Sequence, residues 1–155
     1  MNWTDLLPEL DNGNTWAFLR VIRQGESDQT DEAYRMMFGG SLFDTPPWEH
    51  PRMLHTFNGL SSTAAGAYQI LLRTWDGLVE QYGFPDFSPQ SQDLAAIALI
   101  KGRGALDDIK QGNLGEAIRK CKLEWASLPY SPYQQPTRTL AQAIETFNDF
   151  GGRIA

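Results

Sequence analysis

The segment Ser61–Trp75, with the sequence SSTAAGAYQILLRTW, carries the most information about fold in this chain. Small residues at its start give way to the pair Tyr68–Gln69 and then to an apolar helical stripe. Small residues let a substrate or a second backbone approach closely, and a ring beside an amide suits the faces and hydroxyl groups of a sugar. The alternative interpretation is that the pair forms an ordinary first turn of a core helix.

Glu26 is the candidate acid, and it follows a short amphipathic helix. The residues before it that share one helical face are Ala17, Phe18, Val21, Ile22 and Gly25. Gly25 is a natural helix terminator, so we expect Glu26 just past the helix end, facing a cleft. Partial burial by apolar neighbours keeps a carboxyl group protonated near neutral pH, as an acid that cleaves glycosidic bonds requires. The alternative is a solvated glutamate, the commoner setting for a charged residue.

The order of predicted elements indicates an α+β fold. Residues 1–13 are expected to form a loose lead-in with at most one turn of helix. Gly39–Gly40 predicts a hairpin between strands at 34–38 and 41–43. A third short strand is predicted over 52–57. Helices are predicted over 67–82, 88–101, 105–111, 113–125 and from 137 onward. We therefore expect a small antiparallel sheet and a helical lobe on either side of a cleft, in one domain over 1–155.

The composition narrows the class of protein. At 155 residues and 41% hydrophobic content the chain suits one folded domain. Its net charge of −6 disfavours nucleic-acid binding. No signal peptide and no apolar run of roughly 20 residues are readable, so we expect no membrane anchor. Cys121 is the one cysteine and is expected to be a buried structural thiol. His50 and His55 lack a metal-ligand spacing, and we expect neither metal nor cofactor.

Many short segments of this chain resemble the bacteriophage lambda endolysin family, peptidoglycan-cleaving lytic transglycosylases of the lysozyme superfamily. The resemblance runs from about residue 17 to residue 152. The matching segments, in chain order, are Phe18–Leu19 leading into Glu26, Gly39–Gly40, Leu42–Phe43, His50–Arg52, Leu54, Thr63, Ala65–Gly66, Tyr68–Gln69, Phe87–Pro89, Ser91–Asp93, Arg103–Leu106, Trp125–Pro129 and Tyr133. A weaker similarity links Glu26–Ser27 and Gly66–Ile70 to signatures of bacterial lytic transglycosylases.

The resemblance implies a lysozyme-like catalytic domain with Glu26 as the catalytic acid. Its substrate is then the β-1,4 bond between N-acetylmuramic acid and N-acetylglucosamine in peptidoglycan glycan strands, and its products carry 1,6-anhydromuramic ends. The residues implied in substrate binding are Ser27, Ser62, Gly66, Tyr68, Gln69 and Tyr133. Among them, Ser27 is expected to orient the carboxylate and Gly66 to let the glycan approach closely.

Two alternatives remain open from the residues alone. One is a hydrolytic muramidase that uses a second carboxylate, such as Asp28 or Asp31, to activate water. The other is a peptidoglycan-binding module without activity. The expected context is a phage enzyme that lyses its bacterial host. We expect a monomer that stays in the host cytoplasm until a holin releases it to the periplasm.

Overall fold

The computed structural model describes residues 1–129 and 139–155, and helices make up most of this part of the chain. The α-helices, in chain order, are α1 (Gly13–Glu26), α2 (Leu72–Tyr82), α3 (Pro89–Gly102), α4 (Leu106–Lys110), α5 (Leu114–Cys121) and α6 (Leu140–Asp149). Two 3₁₀ helices cover Trp3–Asp11 and Asp31–Arg35, and two strands, β1 (His55–Phe57) and β2 (Leu60–Ser62), form an antiparallel pair. The fold is α+β, as the sequence predicts.

Helix α1 runs through the core of the helical lobe. It packs against α3, α4 and α6 and against the 3₁₀ helix at the amino terminus. Its apolar face is fully buried, including Phe18 and Ile22, neither of which has measurable solvent exposure. Asn12 caps its first turn by accepting a hydrogen bond from the backbone N–H of Thr15. The helix is therefore held along its whole length, and its last residue, Glu26, has a fixed place.

The predicted loose lead-in over 1–13 is instead an ordered 3₁₀ helix, Trp3–Asp11. Asn2 and Asp5 form a capping box at its start, and Leu6 is 2% exposed in the core. The segment packs on α1 and α3. The sequence does not indicate this element, because Pro8 breaks an α-helical pattern.

The small sheet differs from the predicted one in its pairing. The third predicted strand, over 52–57, is confirmed in part as β1, but its partner is β2, joined through the turn at Asn58 and Gly59. Around Gly39–Gly40 the chain does turn back, although only one isolated bridge, Met36 to Leu42, forms there. Within the described residues, the sheet lobe is thus one two-stranded ladder with isolated bridges beside it, rather than a three-stranded sheet.

The predicted helix from residue 67 begins five residues later, at Leu72. Ala65 and Ile70 exchange two backbone hydrogen bonds of 3.2 and 2.9 Å, which folds the intervening residues into a tight bend. Gly66 and Gln69 adopt φ values of +83° and +49°, a region that an α-helix excludes. Residues 64–71 therefore form a bend against α3 and the sheet lobe.

The later helices follow the sequence signals closely. Ser88 caps α3 with Pro89 in its first turn, as predicted. Thr139 and Gln142 form a capping box at the start of α6, two residues beyond the predicted start. Helix α5 ends at Cys121 rather than near Trp125, since the chain turns there into a loop. Cys121 is fully buried, and burial raises the pKa of its thiol to about 12, which fits the predicted inert thiol.

Candidate active site

A cavity of about 570 Å³ lies between the sheet lobe and the helical lobe. This volume is in the range of small-molecule binding sites. From the sheet lobe and the bend, it is lined by Met36, Met37, Phe38, Gly39, Gly40, Phe57, Ser62, Ala64, Gln69 and Leu71. From the helical lobe, it is lined by Gly25, Glu26, Leu123, Glu124 and Ala126. The predicted cleft therefore exists, and the candidate acid lines it.

Glu26 is the last residue of α1, not the residue just beyond it. Gly25 belongs to the helix, so the chain turns one residue later than the sequence predicts. Burial raises the pKa of the Glu26 carboxyl group from 4.5 to about 7, and hydrogen bonds from Ser127 offset part of that rise. A carboxyl group with this pKa is substantially protonated at neutral pH and can both donate and accept a proton there.

The hydroxyl group that holds Glu26 is that of Ser127, not that of Ser27. Ser127 Oγ donates to Glu26 Oε2 at 2.5 Å. Ser27 Oγ instead donates to the carbonyl oxygen of Ala67 at 2.6 Å. The expectation that Ser27 orients the carboxylate is thus corrected: Ser27 ties the end of α1 to the bend, while a serine 101 residues away contacts the acid.

Tyr68 lies in the core and not on the wall of the cavity. Its side chain is 1% exposed, and its hydroxyl group donates to Asp93 Oδ1 at 2.6 Å. Tyr34 donates to the same oxygen at 3.0 Å, and Arg23 donates to the Tyr34 hydroxyl at 3.2 Å. The predicted contact of Tyr68 with a saccharide is therefore corrected, because its ring and its hydroxyl group are already used within the protein.

Gly66 is required by a neighbouring side chain rather than by a ligand. A Cβ atom added at Gly66 would lie 2.3 Å from Gln92 Oε1. Gln92 is fully buried, accepts from the backbone N–H of Ala67 at 3.0 Å and donates to the carbonyl of Tyr34 at 2.9 Å. The close approach predicted at Gly66 is real, but its partner is α3, so the expectation of a close glycan approach is corrected.

Gln69 and Ser62 both lie on the cavity wall, as predicted. The side-chain amide of Gln69 donates to the carbonyl oxygens of Met36 and Gly66 at 3.2 and 2.9 Å. These bonds fix the side chain on the cavity wall; among the described residues, both involve its Nε2 and neither involves its Oε1. Ser62 Oγ accepts from the backbone N–H of Ala64 at 3.0 Å and keeps its own proton for donation. Both residues suit a ligand rich in hydroxyl groups.

The acids proposed for a hydrolytic mechanism do not line this cavity. Asp28 Oδ1 accepts hydrogen bonds from the backbone N–H and the hydroxyl group of Thr30, at 2.8 and 2.6 Å. Asp31 lines a separate cavity near Trp48. The second carboxylate on the wall is Glu124, which forms an ion pair of 2.9 Å with Arg103. Sequence analysis singled out neither Glu124 nor Ser127.

Tyr133, the remaining predicted binding residue, lies outside the described residues, and its role stays a prediction. Among the residues that the structure describes, no group of three His, Cys, Asp or Glu side chains could hold a metal ion. His50 is buried and hydrogen-bonded at both ring nitrogens, to the carbonyl of Ile70 and the N–H of Arg52. Within the same described part of the chain, no helix has the length and apolarity to cross a membrane.

The fold and the site together define a class: a lysozyme-like α+β protein with a half-buried acid of raised pKa in the cleft between its lobes. Comparisons with known proteins agree. The family model described as Endolysin matches residues 16–154. The chain is 43% identical over 150 residues to the endolysin of Escherichia phage lambda, covering 92% of this chain and 94% of that protein. The endolysin of Escherichia phage P2 is 44% identical over 108 residues, which cover 68% and 66% of the two chains.

Solved structures give the same result at the level of the fold. The bacteriophage lambda lysozyme complexed with a chitohexasaccharide superposes with a TM-score of 0.87 at 38% identity, covering 93% of this chain and 97% of that one. A second structure of lysozyme from bacteriophage lambda gives a TM-score of 0.81 with the same coverage. The chain belongs to the endolysin family.

Proposed function

We propose that this protein cleaves the β-1,4 bond between N-acetylmuramic acid and N-acetylglucosamine in bacterial peptidoglycan, with Glu26 as the catalytic acid. The observation that carries the proposal is a carboxyl group of pKa about 7 on the wall of a cavity of about 570 Å³. Family membership and the likeness to a lysozyme solved with a chitohexasaccharide supply the class of substrate.

The proposed first step is protonation of the glycosidic oxygen by Glu26. The C1–O bond of the muramic acid breaks as the proton arrives, and an oxocarbenium-like state develops at C1. Because Glu26 is protonated in a substantial share of molecules at neutral pH, it can supply that proton without a change of pH. The released N-acetylglucosamine carries the new hydroxyl group.

We propose that the second step is attack by the C6 hydroxyl group of the same muramic acid on its C1. The ionised Glu26 takes the C6 hydroxyl proton, which restores the acid and gives a 1,6-anhydro product without consuming water. The site supports this route through the placement of its acids. Asp28 and Asp31 are not on the cavity wall. Glu124 is on the wall, but its charge is paired with that of Arg103. A hydrolase would need one of them free to activate water.

A peptidoglycan-binding module without activity is the alternative from another class. Binding a neutral sugar does not require a carboxyl group in a setting that costs the ionised form free energy. The raised pKa of Glu26 therefore favours an enzyme over a binding module.

Digestion of purified sacculi in ¹⁸O-labelled water, followed by mass spectrometry of the fragments, separates these functions. We expect unlabelled fragments that end in 1,6-anhydromuramic acid. Label at the new muramic acid C1 would mean that water attacked and that the enzyme is a hydrolase. Binding of the protein to sacculi without any released fragment would contradict both enzymatic routes.

The cellular context is a further part of the proposal and rests on the family. We propose that the protein stays in the host cytoplasm until a holin releases it to the periplasm, and that it acts as a monomer. Fractionation of host cells that express the protein with and without a holin gene tests the first point. Enzyme in the periplasm without a holin would contradict it, and sedimentation of a dimer would contradict the second.

A further inference from the structure

The contact between Ser127 and Glu26 is the basis of the inference. Ser127 Oγ lies 2.5 Å from Glu26 Oε2, a short distance for a hydroxyl group that donates to a carboxylate. Within residues 1–129 and 139–155, no other side chain is hydrogen-bonded to this carboxyl group. Ser127 is 6% exposed, so solvent does not compete for its hydroxyl group.

The loop that carries Ser127 is anchored on both sides of it. Trp125 is 1% exposed, and its Nε1 donates to the carbonyl oxygen of Tyr68 at 2.9 Å. Leu128 is equally buried, and its N–H donates to the carbonyl of Trp125 at 3.1 Å. A serine between two such anchors has a fixed backbone, so its hydroxyl group meets Glu26 without further loss of conformational freedom.

We propose that Ser127 is a positioning residue that reserves Oε2 of Glu26 as a hydrogen-bond acceptor and so makes Oε1 the oxygen that delivers and recovers the proton. This inference rests on the function proposed above. Ser127 acts through Glu26 and does not itself bond to the reacting atoms.

The two halves of the reaction use this contact in sequence. In the acid form the proton lies on Oε1, since Oε2 already accepts from Ser127. When Oε1 passes its proton to the glycosidic oxygen, the negative charge that forms is stabilised by the Ser127 hydroxyl group. When the C6 hydroxyl group is deprotonated, its proton returns to Oε1, and the contact with Ser127 is unchanged throughout.

The charged side chains near Glu26 in the described part of the chain are paired with other groups, and Ser127 is its polar partner there. Glu124 lines the same cavity but is paired with Arg103 at 2.9 Å. Arg23, one turn earlier on α1, donates to the carbonyls of Asp28 and Thr30 and to the Tyr34 hydroxyl. The pKa of Glu26 accordingly reflects burial, which raises it, and Ser127, which lowers it; no charged group in residues 1–129 or 139–155 is among its causes.

The test is a titration of the Glu26 carboxyl carbon by ¹³C NMR in the full-length protein, with the Glu26→Gln spectrum identifying the resonance. We expect Ser127→Ala to raise the pKa of Glu26 by about one unit, a tenfold change in proton affinity. The same variant should move the alkaline limb of the pH–activity profile upward by the same amount. Ser127→Thr keeps the hydroxyl group and should restore both values.

A matched control is Ser91→Ala, which removes another buried serine that donates to a different carboxylate, Asp86, at 2.8 Å. It should leave the Glu26 titration unchanged. If Ser127→Ala does not fold, Ser127→Cys keeps the size with a weaker donor and should give a smaller rise.

An unchanged Glu26 pKa in Ser127→Ala or Ser127→Cys would overturn the inference. So would an equal rise in Ser127→Thr, because a lost hydroxyl group would then not be the cause. The titration does not depend on turnover, which separates this failure from a failure of the proposed function. A failure of the proposed function would instead appear as full activity of the Glu26→Gln variant.

Discussion

Two carboxyl groups with raised pKa values, the half-buried Glu26 and the buried Asp93, lie in contrasting surroundings. Burial raises the pKa of both. Asp93 accepts hydrogen bonds from the hydroxyl groups of Tyr34 and Tyr68 and is enclosed by side chains of the core. Among the residues that the structure describes, Glu26 has one hydroxyl partner, Ser127, and it lines a cavity of about 570 Å³.

The difference separates a structural acid from a reactive one. Both tyrosine donors of Asp93 lie on segments other than its own helix, so the carboxylate joins α3 to the bend and to the 3₁₀ helix at 31–35. Within the described residues Glu26 makes one such contact, through Oε2, and it lines the cavity. A raised pKa alone therefore does not identify a catalytic acid; access from a cavity does.

The largest expected effect is on activity. Glu26→Gln should lower the rate of lysis about 10²–10⁴-fold, because an amide of the same shape cannot deliver a proton. Asp93→Asn, the matched change in the structural acid, should lower specific activity at most a few-fold at a temperature where the variant is folded. Turbidity loss of purified sacculi, with folding checked by circular dichroism, measures both. Similar losses in the two variants would remove the distinction between the acids.

The next effect is on stability and has opposite signs for the two acids. The folded-state pKa of Glu26 is raised, so its protonated form stabilises the fold below pH 4.5, and this contribution is lost as the pH rises through about 7. The Glu26→Gln variant has no such ionisation. The difference in unfolding free energy between this variant and the native protein should therefore be up to about 3 kcal/mol more favourable to the variant at pH 8 than at pH 4.

Asp93→Asn should instead destabilise the protein by about 1–3 kcal/mol, because it weakens the acceptor for two buried hydroxyl groups. Urea unfolding of the three proteins at both pH values checks these signs. A Glu26→Gln gain that is the same at pH 4 and pH 8 would show that the Glu26 carboxyl group is not buried as described.

The smallest expected effect is on saccharide binding, and it is tested by comparing variants of two adjacent residues of the bend, Gln69 and Tyr68. Gln69→Asn withdraws the amide from the cavity and tolerates the positive φ at this position. It should weaken binding of a chitohexasaccharide about fivefold, the equivalent of one hydrogen bond. Tyr68→Phe should leave binding unchanged, since the Tyr68 hydroxyl group is bonded to Asp93. Calorimetric titration measures both, and the reverse order would place Tyr68 in the site.

Tyr133→Ala extends this test to the segment outside the described residues. The resemblance to the endolysin family implies a cleft tyrosine there, and we expect weaker binding of the same saccharide, by about as much as for Gln69→Asn. Unchanged affinity in a folded Tyr133→Ala protein would remove that residue from the predicted site.

Local sequence signals predicted the positions of helices, because the residues that start and end a helix are close together in the chain. The amphipathic spacing before Glu26 identified α1, and Ser88–Pro89 identified the start of α3. The choice of Glu26 as the acid came from the resemblance to the endolysin family, because its position alone equally fits a solvated glutamate. The role of Ser127 could not be predicted in this way, because nothing in the spacing connects residues 101 positions apart. The prediction that Tyr68 contacts the saccharide was wrong for a related reason. The sequence around Tyr68 does not determine whether its ring faces the cleft or Asp93, which is distant in the chain.

The central claim, that Glu26 acts as a protonated acid at neutral pH, is tested most directly by the pH dependence of kcat/KM for the native enzyme. This parameter reports the pKa of the essential acid in the free enzyme. The account predicts an activity that falls on the alkaline side with a single apparent pKa of about 7. An activity that stays constant through pH 7 and into the alkaline range, or that falls already near pH 4.5, would contradict it.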